Sequence, residues 1–408
     1  MPRVDQDDIE IKKTGSVGTG ELSLSKPESE CANSMFKNIK EIIHQGDESG
    51  NGMTVRFRLP SGLEIIGLPT KNFYGEDWDL GPTWNYAVLA DKPFLVDTGR
   101  YGQGGNLVNM MDSAGIKPEE LGFVLISHSH EDHDGGLGEL VNRTQLKVKA
   151  HAIYDLIIRK YPESAPPGYK ENFPAKCWRC MMPEEFSSKN CLAYHKVLQG
   201  LTVDKVPDGV QELSTNIRTY HLPGHSPDCL AVRIGDEAIL VGDIILPEIT
   251  SIPTCESSYD EISEIIKPAY SKPEEIFGLL RYIRSLKKLG EIAGRTPNIL
   301  VLPGHRLYYK NQWNEMELAG RIGELLKHHV DRCAAILEIL KPGPKTAEEI
   351  AREHFDEKLL KGFGKFMAEN EVISHCELLI KSKDVATSDD DKYAATGSTN
   401  FEEDIERL

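Results

Sequence analysis

Residues 128–133 read His-Ser-His-Glu-Asp-His, and they directly follow the apolar run Phe123-Val124-Leu125-Ile126. The apolar run predicts a short buried β-strand, so the polar residues fall in the loop just past its end. Imidazole and carboxylate groups are the ligands that zinc and similar divalent ions take from proteins. The stretch therefore predicts a metal site. Ordinary surface polarity is the alternative, and residues of the same type downstream argue against it.

Three later residues repeat this setting. His225 follows Leu-Pro-Gly, Asp243 follows Leu-Val-Gly, and His305 follows Leu-Pro-Gly, each after a strand-like apolar run. Any one of them alone would be an ordinary turn residue. Loops at the ends of adjacent strands can converge on one edge of a sheet sandwich, so together the three predict a single site shared with residues 128–133.

The ordered pattern His-x-His-x-Asp-His, then His, Asp and His, resembles the metallo-β-lactamase superfamily. The resemblance implies an αββα sandwich with two divalent metal ions, zinc by preference and iron or manganese as alternatives. It assigns one ion to His128, His130 and His225. It assigns the second ion to Asp132, His133 and His305, with Asp243 bridging the pair.

Asp97 matches the aspartate that ends an earlier strand in this superfamily, where it supports the site by hydrogen bonding. A plain turn residue before Gly99 is the alternative reading of Asp97. Two ions about 3.5–4 Å apart can activate a water molecule and polarise a carbonyl or phosphoryl oxygen. Asp132 is the candidate catalytic residue, relaying the proton to the leaving group.

The second half of the resemblance lies after His305. Helical patterns over residues 318–340, 347–354 and 363–382 look like the small winged-helix-like module of one branch of the superfamily. That branch includes thioesterase-like or glyoxalase II-like hydrolases and an endoribonuclease. The module has balanced Lys/Arg and Asp/Glu, which is unlike a nucleic-acid reader. We therefore expect a small-molecule carboxylic ester or acyl-thioester as substrate, with single-stranded RNA as the alternative.

Composition agrees with an α/β protein of more than one domain. The chain has 408 residues and a net charge of −17, which disfavours nonspecific binding to nucleic acid or anionic membranes. No run approaches the roughly 18 apolar residues of a membrane span, and the N terminus has no apolar signal segment. These features predict a cytoplasmic protein, free or as a homo-oligomer. The eight cysteines predict reduced thiols or metal ligands instead of a disulfide scaffold.

Four regions are expected along the chain. Residues 1–53 form a polar arm with a short helix near 35–44, and residues 54–310 form the catalytic domain. Residues 311–385 form the helical module, and residues 386–408 form a disordered acidic tail.

An insert over residues 161–200 is expected to act as a lid over the site. Its Cys-x2-Cys-x10-Cys-x3-His spacing is compatible with a small structural zinc site, formed by Cys177, Cys180, Cys191 and His195. The alternative is an irregular lid with buried cysteines. Aromatic residues of the insert are candidates for a substrate pocket or for the lid's own packing: Phe173, Trp178 and Tyr194.

Two other classes compete with a hydrolase. A redox diiron protein of this superfamily normally has glutamate at the position of His130 and carries a flavin domain, and neither feature is present here. A binding protein with a decayed site would lack ligands, whereas every ligand position is filled. Both classes therefore rank below the hydrolase.

Overall fold

Two β-sheets pack face to face in the computed structural model, which describes residues 39–73, 79–160, 190–294, 296, 298–361, 363–388 and 390–408. The first sheet has eight strands in chain order. They are β1 (Lys40–His44), β2 (Thr54–Arg58), β3 (Glu64–Thr70), β4 (Thr83–Leu89), β5 (Phe94–Val96), β6 (Phe123–Leu125), β7 (Lys147–His151) and β8 (Val203–Val206). Neighbours are antiparallel from β1 to β5 and parallel from β5 to β8.

The second sheet has five strands in the order β13-β12-β11-β10-β9. They are β9 (Val210–Ser214), β10 (Ile217–His221), β11 (Leu230–Ile234), β12 (Ala238–Gly242) and β13 (Leu300–Pro303). Only β12 and β13 pair in parallel. Two small hairpins follow, β14 (Tyr308–Tyr309) with β15 (Gln312–Trp313), and β16 (Val385–Thr387) with β17 (Tyr393–Ala395).

Helices cover both outer faces of the sandwich. The described helices are α1 (Gly104–Ser113), α2 (Glu131–Asp134), α3 (Leu137–Thr144), α4 (Ala152–Arg159), α5 (Cys191–Gln199), α6 (Tyr259–Ile266), α7 (Leu279–Ala293), α8 (Leu318–Leu340), α9 (Ala347–His354), α10 (Phe363–Lys381) and α11 (Phe401–Arg407). One core packs α1, α3, α4 and α5 against the first sheet, a second lies between the sheets, and a third packs α7 against the second sheet. The expected αββα sandwich is confirmed.

The alternating side chains of β4 show how one strand serves two layers. Trp84, Tyr86 and Val88 point into the core between the sheets, whereas Ala87 points into the helical core on the other side. Successive side chains of a strand point to opposite faces, so a strand buried on both faces must be apolar throughout. This is why the first sheet can lie inside the molecule.

The C-terminal region consists of α8, α9 and α10 followed by the β16–β17 hairpin. This element order agrees with the expected winged-helix-like module. Its buried residues belong to the same apolar core as α7 and the second sheet. A capping box starts α9, where Thr346 and Glu349 each accept the other's backbone N–H.

Two expectations about the chain ends are wrong. Lys40–His44 form the strand β1 instead of a helix, because they pair with β2, and the first sheet therefore begins before residue 54. The acidic tail is folded, because Phe401 and Ile405 of α11 are buried in the C-terminal core. The helical region therefore extends beyond residue 385.

Most of the expected lid lies outside the described residues, which resume at residue 190 with α5. Cys177, Cys180, Phe173 and Trp178 fall in that undescribed part. Among the helices that the structure describes, none combines the length and apolar character needed to cross a membrane.

Candidate metal centre

The predicted ligands meet at one edge of the sandwich because parallel strand pairs of both sheets end there. In the first sheet, β5 and β6 end just before Asp97 and His128. In the second sheet, β12 and β13 end just before Asp243 and His305. Parallel neighbours present their carboxyl ends at the same edge, and the turn after β10 brings His225 to it.

The first ligand group contains His128, His130 and His225. One ring nitrogen from each lies within 4.8 Å of the others. The contact between Nε2 of His225 and Nδ1 of His130 is 3.1 Å long. Three imidazoles converging from two sheets match the expectation for the first ion.

The second ligand group contains Asp132, His133 and His305. Nε2 of His305 lies 3.0 Å from Oδ2 of Asp132 and 3.2 Å from Nε2 of His133. All three side chains are buried. The six residues of the two groups are therefore brought together as the sequence pattern predicts.

Asp243 lies between the two groups. Its Oδ1 is 3.4 Å from Nε2 of His133, and its Oδ2 is 3.3 Å from Nε2 of His305 and 3.9 Å from Nε2 of His225. This position agrees with the expected bridging role, which stays a prediction.

The hydrogen atoms on three of the histidines can be assigned from their outer ring nitrogens. Nδ1 of His225 and Nδ1 of His305 face backbone carbonyl oxygens at 2.9 and 3.2 Å, and Nδ1 of His133 faces the Asp97 carboxylate at 2.9 Å. These oxygens only accept, so each Nδ1 carries the hydrogen and each neutral ring keeps a lone pair on Nε2. In their neutral forms these histidines therefore turn bare Nε2 atoms toward the centre of the site.

Bare nitrogens in contact fit a metal ion. Two nitrogens bound tetrahedrally at about 2.0–2.1 Å from one zinc ion lie roughly 3.3 Å apart, close to the 3.2 Å between His133 and His305. In addition, Nε2 of His128 and Oδ1 of Asp243 are buried with no hydrogen-bond partner among the described residues. Buried polar atoms are rarely left unsatisfied, so the residues present fit divalent cations.

The charges of the site suit metal binding as well. Burial lowers the pKa of His130 to about 3, so this ring is neutral at physiological pH. Burial raises the pKa of Asp132, but His133 and His305 outweigh it and hold that pKa well below its usual range. Burial lowers the pKa of His305, but Asp243 and Asp132 outweigh it and raise that pKa to about 9. Asp132 and Asp243 therefore attract positive charge to this site, and divalent cations would supply that charge in place of protons.

Asp97 does not join either ligand group but orders them. It accepts three hydrogen bonds, from the backbone N–H and the hydroxyl of Ser127 at 2.7 Å each and from Nδ1 of His133 at 2.9 Å. The Ser127 hydroxyl lies 3.0 Å from Nδ1 of His128. Asp97 therefore connects both groups, as the expected supporting residue would. Sequence reasoning missed Ser127, although it immediately precedes the histidine stretch.

Asn72 is a second residue that sequence reasoning missed. It follows β3, is buried, and donates from Nδ2 to Oδ2 of Asp132 at 3.0 Å. Its Oδ1 has no hydrogen-bond partner among the described residues. An asparagine after a strand looks like a turn residue, so only the fold reveals that it orients Asp132.

Tyr194, a candidate pocket residue, is buried in the helical core of the first sheet. Its hydroxyl donates to Oδ1 of Asp134 at 2.5 Å, and the Tyr154 hydroxyl donates to Oδ2 at 3.0 Å. Asp134 adjoins His133, so the two tyrosines hold the helix α2 that carries two of the ligands. Contact between Tyr194 and substrate stays a prediction.

The candidate structural zinc set is described only in part. Cys191 and His195 both lie buried in α5. Cys191 is disulfide-bonded, and its partner lies outside the described residues. A disulfide sulfur offers no thiolate to zinc, so Cys191 does not serve as a ligand of the expected zinc site in this structure.

Another His–Asp cluster lies at the same sheet edge, and one of its histidines has the opposite hydrogen pattern. His151 and His221 stack at 3.7 Å between ring centroids, and both rings face Asp208. Nδ1 of His151 accepts the N–H of Ile153, so the hydrogen lies on Nε2, 3.0 Å from the Asp208 carboxylate. A ring nitrogen that carries hydrogen cannot bind a metal, so His151 serves here as a hydrogen-bond donor to Asp208.

Fold and site together define a metal-binding αββα protein, and comparison with known proteins gives its family. The family profile described as "Metallo-beta-lactamase superfamily" matches residues 78–279, which include every proposed ligand except His305. The chain belongs to the metallo-β-lactamase superfamily, whose members are metal-dependent hydrolases.

Solved structures of this superfamily share the fold. A metallo-beta-lactamase family protein from Thermus thermophilus is 22% identical with a TM-score of 0.54, over 82% of this chain and 99% of that one. A beta-lactamase domain protein from Burkholderia ambifaria is 18% identical with a TM-score of 0.57, over 85% of this chain and 94% of that one. At these identities the likeness concerns the fold alone.

Relatives with assigned names are distant. An N-acyl homoserine lactonase from Bacillus sp is 24% identical over 214 residues, which cover 45% of this chain and 72% of the relative. The Beta-lactamase-like protein 2 homolog of Drosophila melanogaster is 23% identical over 188 residues, covering 46% of this chain and 53% of the relative.

Proposed function

We propose that this protein is a dinuclear metal-dependent hydrolase that cleaves a carboxylic ester or acyl-thioester bond. The observation that carries the proposal is the convergence of ring nitrogens around Asp243, from both sheets, in two groups of three ligands. When bound, two divalent ions would supply a nucleophilic water at neutral pH and polarise the scissile carbonyl.

The residues around the ions would control orientation and protons. Asp97 and the backbone carbonyls fix the histidine rings, so the ligand set is organised before substrate arrives. Asn72 orients Asp132, which is the candidate to take a proton from the attacking water. Asp132 would then pass this proton to the leaving oxygen or sulfur.

The preference for an ester over a phosphodiester has two supports. The net charge of −17 disfavours a polyanionic substrate. The Bacillus relative is named as a lactonase, and a lactone is a cyclic ester. The metal would be zinc, since the ligands are histidine and carboxylate, with iron or manganese as alternatives.

A substrate panel with metal analysis tests the proposal. We expect about two divalent ions per chain and turnover of esters, lactones or thioesters. His130→Ala and Asp132→Asn should each lower kcat/KM at least about 100-fold, whereas His44→Ala, at an exposed histidine, should not. Cleavage of single-stranded RNA or phosphodiesters without any ester turnover would refute the ester assignment.

A further inference from the structure

A cavity lies between the loop that follows Asp243 and the C-terminal helices. Its volume is about 70 Å³, more than the roughly 10–15 Å³ that one water molecule requires. We call it the C-terminal cavity, and its lining includes Ile252, His328, Arg332, Phe355, Met367 and Glu371. None of the proposed metal ligands lines this cavity.

The C-terminal cavity shares a wall with the metal centre. Ile252 lines the cavity, and its backbone carbonyl accepts the Nδ1 hydrogen of His225 at 2.9 Å. The Thr254 hydroxyl, two residues further on, donates to the carbonyl of His225 at 2.6 Å. One short loop therefore separates the cavity from a proposed ligand of the first group.

Most of the cavity wall is apolar. Ile249, Ile252 and Phe355 contribute aliphatic and aromatic surface, and Met367 and Ala368 of α10 complete it. Such a wall stabilises a bound hydrocarbon chain by removing it from water.

The polar part of the wall is uncharged overall. Arg332 and Glu371 are buried and form an ion pair with 2.5 Å between Nη1 and Oε1. Nε of Arg332 and Nε2 of His328 are buried with no hydrogen-bond partner among the described residues. Burial lowers the pKa of His328 to about 3, so this ring is neutral. An uncharged hydrogen-bonding group would satisfy these atoms, whereas a further charge would be buried without a counter-charge.

We propose that the C-terminal cavity binds the acyl chain of the substrate and selects neutral chains that carry an uncharged polar group such as an amide. This inference rests on the proposed ester or thioester hydrolysis. A carbonyl oxygen on the chain would accept from Nε of Arg332, and chains that end in a carboxylate or an ammonium group would be rejected.

Kinetics on esters with one leaving group and acetyl, butyryl, hexanoyl or octanoyl chains test the apolar part. The value of kcat/KM should rise about threefold to fourfold per methylene until the cavity is filled. Met367→Trp, which fills the cavity, should remove this rise. The matched control is Phe366→Trp, at the neighbouring residue of α10, which is 42% exposed and outside the cavity lining. It should keep the wild-type rise.

Arg332→Lys tests the polar part, because it keeps a cation for Glu371 but removes the Nε hydrogen. We expect the loss of kcat/KM to be about tenfold larger on esters with an amide in the acyl chain than on plain alkyl esters. An unchanged melting temperature would show that the variant is folded. Equal losses on both ester types would contradict selection by Arg332.

Binding of octanamide, measured by calorimetry, separates failure of the cavity from failure of the proposed reaction. One outcome is that no ester is turned over, while octanamide binds the wild type and Phe366→Trp but does not bind Met367→Trp. In that case the cavity site stands and the ester assignment fails. If esters are turned over with no dependence on chain length, or if octanamide binding is absent or insensitive to Met367→Trp, the cavity inference is overturned.

Discussion

Asp97 shows how a single residue organises the metal centre. Its backbone has a φ of +62°, in the left-handed region that costs energy for residues with a side chain. In this position its carboxylate reaches both Ser127 and His133. The strained conformation therefore directs the Asp97 carboxylate to Nδ1 of His133, the ring whose Nε2 must stay free for a metal ion.

We expect Asp97→Asn to weaken metal binding about 10–100-fold. The amide cannot accept all three hydrogens, so His133 loses its fixed tautomer. Competition with a chromophoric chelator measures the affinity. Asp112→Asn, at an exposed aspartate of α1, is the control and should bind metal as the wild type does. Equal affinities for the Asp97 and Asp112 variants would contradict the ordering role.

At the scale of elements, the ends of β12 and β13 must approach closely for the two ligand groups to meet. The N–H of Gly304 donates to the carbonyl of Gly242 at 2.8 Å, so the turns before Asp243 and His305 are in direct contact. A Cβ on Gly304 would lie 2.2 Å from Oδ1 of Asp243 and 2.7 Å from Cε1 of His133. Glycine is therefore required where the two strand ends carry their ligands.

Gly304→Ala should abolish or strongly reduce metal uptake, because the added methyl group displaces Asp243 and His133. The matched control is Gly323→Ala in α8, where a Cβ would meet nothing within 4 Å. Removing a glycine from a helix interior should stabilise the protein by about 0.5–1 kcal/mol. Metal content and urea unfolding measure the two effects, and full metal content in Gly304→Ala would disprove the packing argument.

At the scale of the whole molecule, the C-terminal region is joined to the catalytic sandwich by a continuous apolar core, and its own helices pack around buried neutral histidines. Nδ1 of His375 donates to the carbonyl of Glu371 at 2.7 Å, and Nε2 accepts from Nδ1 of His329 at 3.1 Å. Burial and then Arg332 lower the pKa of His375 to about 3, and burial lowers the pKa of His354 to about 3 as well.

These histidines predict acid sensitivity. Histidine has a pKa of about 6.5 in the unfolded chain, so the unfolded state takes up protons first as the pH falls. Stability should therefore be fully present above about pH 6.5 and be lost progressively toward about pH 3. Urea unfolding at several pH values measures the slope, which His375→Gln should reduce and His44→Gln should not. A slope unchanged by His375→Gln would contradict the assignment.

Local patterns in the chain predicted much of this architecture. Helical periodicity placed Leu318–Leu340 and Ala347–His354 correctly, because each helix has an apolar stripe and a clear start or stop signal. The histidine stretch and the three strand-end residues predicted the site, because parallel strands present their ends at one edge. The acidic composition of the tail led to a wrong prediction of disorder, because two buried side chains of α11 anchor this segment.

The amino-acid sequence by itself determined the fold family, the set of candidate ligands and the helices of the C-terminal region, since these depend on local pattern and spacing. Only the tertiary structure decided that Lys40–His44 join a sheet, that Asn72 orients Asp132, and that a neutral cavity adjoins His225. Those features depend on atoms brought together from distant parts of the chain. Their hydrogen bonds and burial have no local signature.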